Sequence, residues 1–356
     1  MAETPYSREA MMSTGPLKAP FPWFGGKTLA APLIWQRLGN VTNYVEPFMG
    51  SLAVLLNRPH VPNIETVNDK DGFVCNAWRA LAADPDEVAR WCDKPVNECD
   101  QHAVHTWLLA QRETLTTRLM GDPDYYDAQV AGRWIYGICC WIGSGWCSGD
   151  GPWQSIDGHL VHTGENGVKR QLVHLGTAGQ GVHRQRVHLG QQGGGMGVHA
   201  RHARGDRLYE WFAALQARLR YVRVCCGDWR RVMGPSVTLM HGLTGILLDP
   251  PYSAEEERDA GIYAVDDLKI AHDVRAWCLA NGDHPLLRIV LCGYGDSHDE
   301  LLEHGWRKVT WKANGGFGNQ GNGQGRFNAT QETLWCSPAC LSTTQEQQLD
   351  LWSPCV

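Results

Sequence analysis

Residues 245–252 read Gly-Ile-Leu-Leu-Asp-Pro-Pro-Tyr, an apolar run that ends abruptly in an acid, two prolines and an aromatic ring. A short unbroken apolar run closed by prolines predicts a strand buried on both faces, the kind found in parallel sheets. An acid at the carboxyl end of such a strand stands where open α/β sheets carry their ligands. Asp249 and its neighbours therefore set both a fold class and a place for the site.

Six further runs have the same character: Tyr44–Phe48, Ile64–Asn68, Tyr221–Cys226, Arg288–Tyr294, Trp306–Lys312 and Glu332–Ser337. Helical patterns fall between most of them, over Thr28–Leu38, Ser51–Asn57, Asp71–Ala82, Asp206–Leu219 and Asp266–Asn281. Strands alternating with helices predict an open, mostly parallel sheet covered on both sides. Only the Gly/Asn/Gln-rich stretch 313–330 separates the last two strands, which suits an antiparallel hairpin at the sheet edge. That stretch reads equally as a loop closing over a ligand, with Lys312 and Arg326 on phosphates, or as a plain connector.

About 150 residues separate the second strand from the third, too many for one crossover. They predict an inserted domain, helical and tryptophan-rich from Asp84 to about Gly143. Farther on, GVKRQLVHLG at Gly167 returns as GVHRQRVHLG at Gly181, with a shorter copy, GVHARHARG, at Gly197. Each copy offers donors and has little to bury. Lys169, Arg170, Arg184, Arg186, Arg201 and Arg204 suit phosphate or base-edge contact, although a solvated linker would have a similar composition. The net charge of −6 hides a strong asymmetry. From Leu160 to Pro235 there are 12 Lys or Arg against 4 Asp or Glu, and the rest of the chain has 20 against 34. A basic segment on an acidic body is the pattern of a nucleic-acid-binding insertion.

Apolar content of 43% and charged content of 20% describe an ordinary globular protein. No stretch approaches the ~18 apolar residues of a membrane span. Residues 1–15 lack the apolar core of a signal peptide, so a cytoplasmic location is expected. The thirteen cysteines show no zinc-knuckle spacing and read as reduced and mostly buried. The seven histidines between His159 and His202 alternate with Arg and Gly, so no metal is expected there.

The chemistry of Asp249–Tyr252 suits an exocyclic amino group on a planar base, whose lone pair is delocalised into the ring. A carboxylate at Asp249 and the carbonyl of Pro250 can both accept its hydrogens and so expose the lone pair. Pro250 and Pro251 hold that carbonyl rigidly, and Tyr252 offers a face for stacking. Glu46-Pro47-Phe48-Met49-Gly50-Ser51 closes the first strand. Gly50 permits close backbone approach to a ligand, and Glu46 can meet a cationic group. Asp69 ends the second strand, where an acid can bind ribose hydroxyls or cap the next helix. Trp23-Phe24-Gly25-Gly26-Lys27 could wrap the end of a cofactor or form a turn. Asp228-Trp229, after the third strand, offers an acceptor and a ring.

Taken in order, these segments resemble the Dam-like alpha group of N6-adenine DNA methyltransferases. The resemblance rests on Phe24–Lys27 for F-x-G-G-K, Glu46–Ser51 for the cofactor turn and Asp69 for the ribose acid. Asp228-Trp229 stands for D-[FW], and Asp249–Tyr252 for D-P-P-Y. It spans roughly Pro20 to Pro338. It implies a Rossmann-like sheet of seven strands with an antiparallel last strand, and S-adenosylmethionine as cofactor, released as S-adenosylhomocysteine. It further implies double-stranded DNA as partner, a target-recognition insertion over 74–205, and catalytic segments over 20–73 and 206–338. Residues 1–19 and 339–356 are expected to be an extension and an unstructured tail. The expected site comprises Asp249, Pro250, Pro251 and Tyr252 for catalysis. Trp23, Phe24, Gly25, Gly26, Lys27, Glu46, Pro47, Phe48, Gly50, Ser51, Asp69, Asp228, Trp229 and Asp249 are expected around the cofactor.

Two departures stand out. The cofactor turn has Leu52 where the family pattern has a second glycine, and the repeats of 167–205 are not in that pattern. The same fold also acts on RNA adenine or on protein amides, and a silent DNA-binding regulator could retain it. Cytosine N4 transfer usually shows Ser at the position of Asp249. A homodimer would suit methylation of both strands of a palindrome, though a monomer visiting twice would do as well. A cognate endonuclease is not legible.

Overall fold

The computed structural model describes residues 17–23, 25–94, 98–141, 146–147, 153–156, 159–162, 201–251, 270–311 and 332–342. In chain order the elements begin with α1 (Ala31–Leu38), β1 (Asn43–Glu46), α2 (Ala53–Leu56) and β2 (Ile64–Asp69). The insertion holds α3 (Gly72–Ala83), α4 (Pro85–Cys92), α5 (Glu98–Gly121), α6 (Ala128–Cys140), β3 (Trp153–Ile156), β4 (His159–His162) and α7 (Arg201–Leu219). The remainder comprises β5 (Val222–Cys226), α8 (Pro235–Thr238), β6 (Thr244–Leu248), α9 (Ile270–Asn281), β7 (Leu287–Tyr294), β8 (Arg307–Thr310) and β9 (Glu332–Cys336).

All seven expected strands form, and they join one sheet in the order β5-β2-β1-β6-β7-β9-β8. β1 pairs in parallel with β2 and β6, and β6 in parallel with β7. β9 is reversed and runs antiparallel to both β7 and β8. The expected terminal hairpin is therefore present, with its second strand inserted between β7 and β8. β1, β6 and β9 are buried along their whole length, as two-sided coverage requires.

The chain divides into two compact units, Met1–Trp23, Asp69–Gly227 and Asp259–Asp266 in one, and Phe24–Asn68, Asp228–Arg258 and Asp267–Val356 in the other. In the first, three aspartates start helices by accepting backbone N–H groups. Asp71 accepts from Phe73, Asp84 from Glu87 and Asp127 from Val130. Gly137 on α6 lies against Trp146, and a Cβ there would fall 1.8 Å from its ring. Phe21, Trp78 and Trp134 form an aromatic cluster, with Phe21 5.3 Å from Trp78 and 5.0 Å from Trp134. Arg79 is nearly buried and donates to the carbonyls of Val224 and Asp122, tying α3 to β5 and to the end of α5. The helix expected to begin at Asp206 begins at Arg201 and so takes in residues 201–205 of the last repeat copy. The β3–β4 pair was not foreseen, although Asp157-Gly158 between its strands is a favoured composition for a two-residue turn.

In the second unit, Arg58 pairs with Glu65 at 3.0 Å and lies over the Trp35 ring, with both charged side chains buried. Of the tail expected to be unstructured, its first residues are held in place. Leu341 donates to the Arg37 carbonyl, and Cys340 is buried. Residues 343–356 lie outside the described set. Eleven of the described cysteines are buried or partly buried, and only Cys99 is exposed. Among the described residues no helix is long and apolar enough to cross a membrane, and no group of three His, Cys, Asp or Glu could hold a metal.

Two buried histidines set a pH dependence. His105 is stacked 4.9 Å from Trp141, and burial, aided by His102, lowers its pKa to about 4. His298 packs edge-on against Trp335, and burial, aided by Arg275 and His272, also lowers its pKa to about 4. Both stay neutral in the fold while the unfolded chain takes up protons below its ordinary pKa. Stability is therefore full above pH ~6.5 and is lost as pH falls toward 4, by up to about 3 kcal/mol for each residue. Urea midpoints measured between pH 7.5 and 4.5 should fall accordingly, and His105→Phe should flatten part of that fall. A midpoint as pH-sensitive in the variant as in the parent would exclude His105 as a source.

Candidate active site

The sheet reverses its strand order between β1 and β6. From β1 the chain runs outward to β2, and on the other side β6 leads to β7. Such a switch point opens a crevice at the carboxyl ends of the two strands. Glu46 ends β1, and Asp249 directly follows β6, with Val45 opposite Ile246 in the register. Asp249 is one-fifth exposed, Pro250 is buried and Pro251 is partly buried.

Lys27 reaches this point. Its ammonium lies 2.9 Å from Asp249 Oδ2 and 3.7 Å from Glu332 Oε2, and it donates to the Gly25 carbonyl at 3.0 Å. Lys27 is 4% exposed, so a cation has been taken almost wholly out of water beside two carboxylates. Gly25 takes φ +69°, a left-handed conformation open to glycine, which turns its carbonyl to the ammonium. On the far side, the Tyr294 hydroxyl donates to Glu332 Oε1 at 3.2 Å. Glu46 accepts from the Tyr44 hydroxyl at 3.0 Å. Burial, reinforced by Glu46, raises the Tyr44 pKa and keeps that phenol a donor. The buried thiol of Cys292 is pushed up chiefly by burial, with Asp249, Glu332 and Glu46 adding to the rise and Lys27 opposing it.

The turn after β1 is held by Met49, whose N–H donates to the Asn68 carbonyl, and by the Asn68 amide, which donates to the Pro47 carbonyl. Gly50 takes φ +41°. Leu52 takes φ +53° and ψ +27°, also left-handed, at the position where the family pattern has glycine. That conformation costs a leucine about 1–2 kcal/mol. Its side chain is fully buried, which returns roughly 1.5–3 kcal/mol. The missing glycine is thus a trade of backbone ease for core volume.

Phe48 and Trp229 lie with ring centroids 6.0 Å apart, tilted by 32°. Asp228 caps the short 3-10 turn Trp229–Val232 by accepting from the Arg230 N–H. Its other oxygen lies 3.4 Å from the Arg230 guanidinium, which also pairs with Asp273 at 2.7 Å. These are exposed pairs and contribute little to stability. Lys27, Glu46, Pro47, Phe48, Gly50, Ser51, Asp228, Trp229 and Asp249 thus all lie in this unit.

Trp23 and Asp69 belong to the helical unit. Trp23 packs edge-on against Phe21 at 6.1 Å. Asp69 accepts from the N–H of Asp71, and Asp71, not Asp69, caps α3. Phe24, Tyr252, Lys169, Arg170, Arg184, Arg186, Lys312 and Arg326 lie outside the described residues, and Arg201 and Arg204 are described by backbone alone, in α7. Sequence reasoning missed Glu332 and Tyr294. The one available signal was a lone acid opening the otherwise apolar run Glu332–Ser337.

A seven-stranded, mostly parallel sheet with a reversed strand and an acid-Pro-Pro segment at its switch point is a Rossmann-like methyltransferase fold. Residues 23–106 match the family model for D12 class N6 adenine-specific DNA methyltransferase. That match makes this stretch similar to a family of DNA-modifying enzymes specific for N6 of adenine. It takes in the turns at Lys27 and Glu46 and ends within α5, short of Asp228 and Asp249. No curated protein matches the chain.

The left-handed Leu52 makes a sharp prediction. At ordinary positions glycine is about 1 kcal/mol worse than alanine. Here Leu52→Ala keeps the strain and loses the packing, at a cost of about 3 kcal/mol, whereas Leu52→Gly loses the packing but relieves the strain. Urea unfolding should find the glycine variant at least as stable as the alanine variant. The ordinary order would contradict the strain.

Proposed function

We propose that this chain methylates N6 of adenine in duplex DNA, drawing the methyl group from S-adenosylmethionine, with the target base turned out of the helix. The observation that carries this reading is Asp249, held beside Lys27 at the carboxyl end of β6, at the switch point of the sheet.

The residues present suit the cofactor. Gly50, with its left-handed φ and no side chain, allows close approach to the backbone at the turn after β1. Glu46 supplies a carboxylate that can face the cationic sulfonium, and Asp228 with the Phe48–Trp229 rings supplies an acceptor and flat surfaces for an adenine. Trp23, Phe24, Gly25, Gly26, Pro47 and Ser51 would line the same ligand, and Asp69 would accept from ribose hydroxyls. When bound, the cofactor supplies an electrophilic methyl group.

The protein's part is to prepare the nucleophile. Asp249 and the Pro250 carbonyl accept the two amino hydrogens of adenine and draw the nitrogen lone pair out of conjugation with the ring. Tyr252 stacks on the extruded base, whose removal from the duplex costs a few kcal/mol. The ammonium of Lys27 lies 2.9 Å from Asp249 Oδ2 and fixes the direction of that carboxylate. Transfer is direct, and the surplus proton on the product nitrogen leaves to solvent or through Asp249. Positioning and fixed charges supply most of the acceleration. The insertion, with the basic repeats carrying Lys169, Arg170, Arg184, Arg186, Arg201 and Arg204, is the target-recognition element, and Lys312 and Arg326 meet phosphates.

Single-molecule sequencing of DNA from a methylation-free bacterial host expressing the gene should find N6-methyladenine in one sequence motif. An unmodified genome with soluble protein present would sink the DNA assignment and turn attention to RNA or protein amides. Asp249→Asn keeps the side-chain shape and a partner for Lys27, so it is a cleaner variant than Asp249→Ala. It should lower kcat by about 100-fold or more while leaving DNA affinity, measured by fluorescence anisotropy, unchanged. Undiminished transfer would remove Asp249 from the mechanism.

A further inference from the structure

Four neighbouring strands send ionisable groups to one spot. β1 contributes Glu46, β6 leads into Asp249, β7 contributes Cys292 and Tyr294, and β9 begins with Glu332. Lys27 is the cation the structure sets among them, with Asp249 at 2.9 Å and Glu332 at 3.7 Å. The first distance is a charge-assisted hydrogen bond. The second is an ion pair too long for one. Glu332 is itself 8% exposed and is aimed by the Tyr294 hydroxyl, which donates to its other oxygen. Tyr294 and Glu332 are directly opposite in the β7–β9 register, so the two strands fix this contact.

A buried carboxylate without a cation tends to bind a proton, and a carboxylate with a cation to itself becomes a weak base. Neither extreme suits an acceptor that must hold an amino group and stay ionised. A second carboxylate on the same ammonium sets a middle course, because it draws part of the Lys27 charge and repels the charge on Asp249. We propose that Glu332 is a positioning residue for methyl transfer, sharing Lys27 with Asp249 and thereby setting how strongly Asp249 accepts the amino hydrogens. This rests on the reading of Asp249 as the acceptor for adenine.

The two partners can be removed separately, with opposite consequences. Glu332→Gln keeps the acceptor for Tyr294 but leaves the whole Lys27 charge on Asp249. With that repulsion gone, kcat on unmethylated bacterial genomic DNA should drop about tenfold and its acid limb should move to lower pH. Lys27→Met removes the ammonium 2.9 Å from Asp249 and should move the acid limb up. Titration of Asp249 by NMR, with aspartate carboxyl carbons labelled and the signal assigned from Asp249→Asn, reads the same change without any activity. An Asp249 titration equal in the full-length parent and Glu332→Gln would overturn the inference, as would an unmoved acid limb with lowered kcat, the mark of a merely structural role. A shifted titration in a protein that methylates no DNA would uphold the coupling and count instead against the proposed substrate.

Discussion

Burying one ammonium constrains much of the sheet unit. An unpaired lysine at the 4% exposure of Lys27 would cost several kcal/mol, more than most domains can spare. Partners must therefore converge on it, and they come from distant parts of the chain. Gly25 supplies a carbonyl from the preceding turn, Asp249 a carboxylate from the end of β6, and Glu332 a second from the start of β9. The strand order has to bring β6, β7 and β9 side by side for this to happen, and it does. The same arrangement that pairs the lysine fixes Asp249 at the carboxyl end of β6.

The helical unit solves a different problem, which is how a long insertion leaves one strand and returns at another in order. Aspartates at 71, 84 and 127 set the start of three helices, so the turns between them are short and specified. Arg79 then closes the circuit by donating to carbonyls of β5 and of the loop after α5. Asn76 adds a reciprocal pair with the backbone of Asp127, its amide donating to the carbonyl and its oxygen accepting the N–H. Aromatic packing around Phe21, Trp78 and Trp134 fills the interior. Nearly all of these side chains act on backbone groups, which is why the tryptophan-rich composition could be read as helical without any of the contacts being foreseen.

Leu52 shows what a motif hides. The family pattern has glycine there, and the sequence alone registers only a departure. The backbone supplies the reason, since the position is left-handed and glycine is the residue that enters that region without strain. This chain keeps the geometry and fills the core with a leucine instead. A missing glycine need not mean a missing turn.

The sequence by itself determined the seven strands, their mostly parallel character and the place of Asp249, because these follow from local apolar runs and from what prolines do at a strand end. It showed a motif order at Lys27, Glu46, Asp69, Asp228 and Asp249, of which the first three fall within the stretch, residues 23–106, that is similar to the family model. It also marked the basic repeats, whose partner their composition leaves open. Only the tertiary structure decided that Lys27 joins Asp249, and that Glu332 and Tyr294 stand beside them. The reason is the direction of one strand. A strand that follows the parallel order would begin at the opposite edge of the sheet from the site. β9 runs backward, so its first residue lies level with the carboxyl end of β7, opposite Tyr294. The reversal was expected from the stretch before β9, but its insertion between β7 and β8 was not, because an apolar run reads the same whichever strands it joins.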